Sequence, residues 1–193
     1  MSVLHAPEAF LSHLAQIADQ LRQITVEIES RAGGGAGILW APDLVITNAH
    51  VVRTTPVAVR LADERRSDAQ IVAADAGIDL AVLRIPRAGL APATLGDSNA
   101  VRVGSVVVAL GHPLGQRRSL TAGIVHAVAS AIDGGRRFIQ ADVRLAPGNS
   151  GGPLADPEGR VIGVNTMIAG RLALAIPINE VRRFVAASAV RPT

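Results

Sequence analysis

The chain has 193 residues, 49% of them hydrophobic but only 2% aromatic, and it contains no cysteine; one sizeable domain or two small halves fit that length, and disulfides and thiolate metal sites are excluded. The formal net charge is +3 and all 19 basic residues are arginine, spread along the chain with acidic residues close to several, so the sequence pI of about 11.1 reflects missing Lys and Tyr rather than a nucleic-acid face. No stretch approaches the roughly 18 apolar residues that span a bilayer, and no basic segment leads into an apolar run as in a secretory signal; with Met1 as the native start, the expectation is a cytoplasmic protein with no membrane partner.

Residues 8–22 carry Phe10, Leu14, Ile17 and Leu21 at helical spacing, with Pro7 suited to a first turn. This amphipathic helix either covers the end of a barrel or takes part in an oligomer contact. The period then changes to two, with Ile24, Val26 and Ile28 alternating with polar residues as in a half-buried strand. A glycine run at 33–37 reads as a turn or loop, followed by strands at 38–40, 44–47, 57–61, 69–74 and 79–85. A Pro/Gly-rich stretch at 86–96 breaks the pattern and reads as a connector. Strands follow at 105–110, 120–128, 136–142, 152–155, 161–166 and 172–177, and Asn179 is placed to cap a last helix at about 180–189. Two groups of about six short strands point to an all-β pair of antiparallel barrels, one at about 24–96 and the other at about 101–178, within one domain of 193 residues.

Three segments carry the chemistry. Thr47-Asn48-Ala49-His50-Val51-Val52 presents a histidine after a strand, and in Asp79-Leu80-Ala81-Val82-Leu83-Arg84 an aspartate opens an apolar strand. Pro147-Gly148-Asn149-Ser150-Gly151-Gly152-Pro153 holds a serine in a glycine-rich loop. A serine hydroxyl is a poor nucleophile unless an imidazole takes its proton, and the imidazole needs a carboxylate to fix its tautomer and stabilise its charged form. Ser150, His50 and Asp79 supply those groups as nucleophile, base and orienting acid. Side-chain-free Gly148 and Gly151 let the loop turn tightly, so that the N–H groups of Gly148 and Ser150 can form an oxyanion hole. His5, His13, His112 and His126 have no metal-ligand spacing and read as surface or loop residues, so neither metal nor other cofactor is expected. Asp142, eight positions before Ser150, reads as structural.

In chain order His, Asp, Ser and in these motifs, the sequence resembles the HtrA/Deg family of trypsin-like serine proteases. Gly111-His112-Pro113-Leu114-Gly115, Leu120-Thr121-Ala122-Gly123-Ile124-Val125, Ile139-Gln140-Ala141-Asp142 and Ala175-Ile176-Pro177-Ile178-Asn179 extend the likeness over roughly residues 18–185. The resemblance implies a serine endopeptidase acting without a cofactor on unfolded or flexible polypeptides, here a protease domain without the PDZ domains that commonly follow. It also implies trimers built through the N-terminal region, where Phe10 is the one aromatic residue. The chain departs from the family's pattern at His112, Ala141 and Ala146. By the same resemblance, the S1 pocket is lined by Leu145, Met167 and Ile168, suiting small or medium aliphatic residues at P1. Arg144 belongs to the same segment: turned inward it would favour an acidic P1 residue, turned outward it would leave the aliphatic preference. The alternative from another class is a catalytically silent two-barrel protein that binds a peptide or a partner.

Overall fold

A computed structural model of the chain describes residues 8–31, 33–112, 119–130 and 136–192. Helix α1 spans Glu8–Ile24 and buries Ile17, Leu21 and Ile24 on one side, the arrangement its apolar spacing requires. The side chain of Phe10 lies outside the described residues. Thr25 ends the helix by donating its hydroxyl to the Leu21 carbonyl at 2.7 Å, so Ile24 is the last helical residue rather than the first of a strand.

Strands β1 (Thr25–Ser30), β2 (Gly33–Ala41), β3 (Leu44–Thr47), β4 (Val57–Arg60), β5 (Arg66–Asp75) and β6 (Leu80–Arg84) follow. They close an antiparallel barrel in the order β1-β2-β3-β6-β5-β4. The second barrel contains β7 (Val106–Gly111), β8 (Ser119–Ser130), β9 (Arg137–Asp142), β10 (Pro153–Ala155), β11 (Val161–Ala169) and β12 (Leu172–Pro177). It closes in the order β10-β11-β12-β9-β8-β7. The fold is therefore two six-stranded antiparallel barrels, whose closure removes the open edges an isolated sheet would present. Valine, isoleucine and leucine fill each interior: Val26, Ile28, Val45, Val59 and Leu83 in the first, Val107, Val125, Ile139 and Leu154 in the second.

Between the barrels lies a third cluster, where Ile38, Leu44, Ile46 and Leu80 of the first pack with Val108, Leu110, Val164 and Ile176 of the second. Ile17 and Leu21 of α1 join it, as do Ile178 and Val181 of the last helix, α2 (Ile178–Ala187). The connector is tied to both sides: Ala93 N–H donates to the Leu39 carbonyl at 2.8 Å, and Gly96 N–H to the Val161 carbonyl at 2.9 Å.

Two further local expectations are corrected. The glycine run at 33–37 is not a loop but the first half of β2, paired with β1 from Ser30↔Gly33 to Val26↔Gly37. A Cβ on Gly35 would stand 2.8 Å from a Val51 methyl and 3.0 Å from the Ser150 carbonyl oxygen, so glycine is there for close approach rather than flexibility. Asn179 is not the cap of α2, which begins one residue earlier behind Pro177. Its side-chain amide donates instead to Asp97 at 2.6 Å and its N–H to the Ser98 hydroxyl at 3.2 Å, fastening the helix to the connector.

Candidate active site

His50 sits on a 3-10 turn, Ala49–Val52, that leaves the end of β3. Thr47, Asn48, Val51 and Val52 of its motif anchor the turn. Thr47 anchors β3 by donating its hydroxyl to the Ala36 carbonyl at 2.8 Å, and Val51 and Val52 bury their side chains in the first barrel. Asn48, fully buried, donates its side-chain amide to the Asp79 carbonyl at 2.9 Å. That contact joins the histidine turn to the aspartate.

Asp79 directly precedes β6 with φ 55, a left-handed conformation that aspartate tolerates better than most residues. Its carboxylate accepts hydrogen bonds from the His50 backbone N–H at 3.1 Å and from His50 Nδ1 at 2.9 Å, the proton being placed on Nδ1 by this partner. The Thr166 hydroxyl adds a third donor at 2.6 Å. Burial pushes the Asp79 carboxyl upward, but the hydrogen bonds from His50 and Thr166 outweigh it and hold the group below the usual carboxylate range.

Ser150 lies in the loop between β9 and β10. Its carbonyl accepts the Ala36 N–H at 2.8 Å, and Gly151 N–H donates to the Asn165 carbonyl at 2.8 Å, so the loop is stitched to both barrels. The Ser150 hydroxyl donates to the Thr166 carbonyl at 2.9 Å. Thr166 thus bridges the site, touching Asp79 through its side chain and Ser150 through its backbone, while His50 meets the same Asp79 carboxylate. Gly148 and Gly151 have φ of 104 and 86, values that favour glycine. The Gly148 carbonyl accepts the His112 N–H at 3.1 Å, and the Ala146 carbonyl accepts the Asn149 N–H at 3.0 Å. Among the described residues no backbone carbonyl accepts the N–H of Gly148 or Ser150.

Beside Ser150 opens a cavity of about 280 Å³ lined by Leu145, Ala146, Pro147, Asn149, Thr166, Met167 and Ile168. Leu145, Met167 and Ile168, expected from the sequence at the S1 pocket, are among the residues that line this cavity. Arg144 is exposed and outside the lining. Of the surface and loop positions expected for His112, the structure gives a buried loop position directly after β7; Pro113, Leu114 and Gly115 of the same motif lie outside the described residues. Asp142 is exposed at the end of β9. No group of three or more His, Asp or Glu side chains among the described residues is placed to hold a metal ion. Sequence reasoning missed Thr166 as a partner of Asp79 and Asn48 as its tether.

Known proteins carry the same plan. The family of trypsin-like peptidase domains matches residues 35–164. A probable periplasmic serine endoprotease, DegP-like, from Halomonas elongata is 42% identical over 161 residues, covering 78% of this chain and 34% of that protein. The mitochondrial serine protease HTRA2 of Drosophila pseudoobscura pseudoobscura is 41% identical over 171 residues, covering 83% of this chain and 40% of that protein. The chain thus spans little more than a third of the length of these relatives. Among solved structures, the HtrA-type protease AlgW with a tripeptide superposes with a TM-score of 0.84 at 30% identity, covering 90% of this chain and 62% of that one. With a family match over most of its length and the two-barrel fold in place, the chain belongs to the trypsin-like peptidases, with HtrA- and DegP-type proteases among its relatives.

Proposed function

We propose that the chain is a serine endopeptidase, residues 1–193 forming one protease unit, in which Ser150 is the nucleophile, His50 the base and Asp79 the group that orients it. The observation that carries this reading is the shared carboxylate: Asp79 accepts from His50 Nδ1 and, through Thr166, is linked to the Ser150 hydroxyl. Ser150 Oγ attacks the scissile carbonyl while His50 Nε2 takes its proton, and the oxyanion is met by the N–H groups of Gly148 and Ser150. The imidazolium then returns its proton to the departing amine, and water releases the acyl group by the same steps in reverse. Flexible polypeptides are the substrate class this reading assigns, in keeping with the tripeptide that AlgW holds. The apolar cavity suits small or medium aliphatic P1 residues. No cofactor, nucleic acid or membrane enters the scheme. For a trimer built through the N-terminal region, Ile17 and Leu21 are already occupied in the chain's own core, so the contact would use other faces of α1.

One detail favours a second reading, a silent peptide-binding protein: the Ser150 hydroxyl donates to the Thr166 carbonyl, so it must rotate before it can give its proton to His50. A fluorophosphonate probe separates the two, since only an activated serine reacts. The test of both is hydrolysis of casein and a peptide library by wild type and Ser150→Ala. Wild type is expected to label and cleave after aliphatic residues, with Ser150→Ala slower by about ten-thousand-fold or more. Equal rates would exclude Ser150 as nucleophile, and a preference for acidic P1 residues would bring Arg144 into the pocket.

A further inference from the structure

We propose that Arg136 is a positioning residue for Asp79, acting from the second barrel on the turn of the first that delivers the carboxylate. Arg136 immediately precedes β9, and its guanidinium reaches across to the turn between β5 and β6. Nη1 donates to the Ile78 carbonyl at 2.7 Å and Nη2 to the Gly77 carbonyl. The guanidinium lies over the Phe138 ring, 5.6 Å from its centroid, and Phe138 is itself seated in the cluster between the barrels. An arginine stacked on a buried ring loses little further freedom when it forks onto two carbonyls.

The geometry of the turn gives this contact its consequence. The Ile78 carbonyl and the Asp79 N–H belong to one planar peptide unit, so fixing the carbonyl oxygen fixes the plane about which φ of Asp79 is measured. That φ is 55, which a non-glycine residue keeps only when its surroundings hold it there. On the other side of the residue, Asn48 holds the Asp79 carbonyl at 2.9 Å. Asp75 supports the turn from within, its carboxylate accepting the N–H of Gly77 at 2.7 Å and of Ile78 at 3.2 Å. Both peptide units flanking Asp79 are therefore gripped, one by the histidine motif and the other by an arginine of the opposite barrel. The carboxylate must meet His50 and Thr166 together, and Arg136 sets the backbone from which it does so. Arg137, the other half of the doublet, is exposed and serves as a control.

For its rate readout the proposal rests on the catalytic reading of His50, Asp79 and Ser150; its structural readout does not. Arg136→Met, Arg136→Lys and Arg137→Met are compared with wild type in the full chain. Proton NMR follows the low-field His50 Nδ1–H resonance that a hydrogen bond to a carboxylate produces. Arg136→Met is expected to weaken or lose that resonance and to lower kcat roughly tenfold to a hundredfold with KM little changed, as a misplaced catalytic group does. Arg136→Lys, whose ammonium reaches one carbonyl, is expected to recover part of both, and Arg137→Met to match wild type. An undiminished resonance in Arg136→Met, or a loss of rate carried by KM, overturns the proposal. Should Arg136→Met fail to fold, Arg136→Lys decides, since a wild-type resonance at wild-type rate would show that the two-pronged grip is dispensable. A wild type that neither cleaves peptides nor labels with fluorophosphonate defeats the catalytic reading instead, and the resonance then decides the role of Arg136.

Discussion

Thr166 serves the site twice, through a hydroxyl that reaches Asp79 and a carbonyl that holds Ser150. Removing the hydroxyl deletes a hydrogen bond to a charged group, a contact typically worth about 1.5–3 kcal/mol. Thr166→Ala is therefore expected to lower kcat roughly tenfold to a hundredfold, because the bond it loses is to Asp79. Thr166→Ser keeps the donor and should retain most of the rate. Steady-state kinetics on one peptide checks both. The same bond has a pH signature. The Asp79 carboxyl is lower in the folded chain than in the unfolded one, so its contribution to stability is present above about pH 3.9 and is lost as pH falls through the lower folded value. The stability deficit of Thr166→Ala, read from urea midpoints, should accordingly be full at neutral pH and narrow in strong acid. Asp79, held below the usual carboxylate range, stays ionised at neutral pH, so the carboxylate that orients His50 is present there. His50, Asp79 and Ser150 could be proposed from the sequence because the proposed chemistry demands those residue types in those settings. Thr166 could not, because a register shift between Asn165 and Met167 makes it the extra residue of a bulge in β11. A bulge re-aims a side chain in a way that strict alternation does not foretell.

Strand β2 shows what pattern reading captures and what it loses at the level of elements. Its second half, Ile38-Leu39-Trp40, has the bulky apolar character of a strand, and the sequence expectation at 38–40 rests on that. Its first half is mostly glycine, which taken alone signals a turn. The decisive information is held elsewhere in the chain, in Val51 and in the Ser150 carbonyl that pack against Gly35. Gly35→Ala forces either the Val51 methyls or the Ser150 backbone to move, and overpacking of this kind costs about 1–3 kcal/mol. Because Val51 neighbours His50 and Ser150 is the proposed nucleophile, activity is expected to fall further than the urea midpoint alone would account for. Equal rates per folded molecule in Gly35→Ala and wild type would mean that β2 is only scaffold. The ends of α2 carry a related lesson. An asparagine near a helix start reads as a cap, yet Asn179 is spent on Asp97 of the connector, a partner 82 residues away in sequence that no local pattern reveals.

Across the whole molecule, the proposed site straddles a boundary. His50 and Asp79 come from the first barrel, whereas Ser150, Thr166 and Arg136 come from the second. Independent barrels would let the separation of His50 from Ser150 drift, so the cluster between them must bind the two into one cooperative unit. Leu110 tests this: it belongs to β7 of the second barrel, is 1% exposed, and packs in the cluster that includes Ile38, Leu44 and Leu80 of the first. Leu110→Ala is expected to cost about 2–5 kcal/mol through lost contacts and a residual cavity. Trp40, the single tryptophan, lies on β2 of the first barrel and packs against the same cluster. If the barrels unfold together, its fluorescence and far-UV circular dichroism should show one transition, shifted equally by the substitution. A Trp40 midpoint that stays in place while circular dichroism splits into two steps would mean that each barrel carries its own stability. The boundary would then have to be held by local bonds such as those from Arg136, Ala36 and Thr166, and each of them would matter more to activity than to folding.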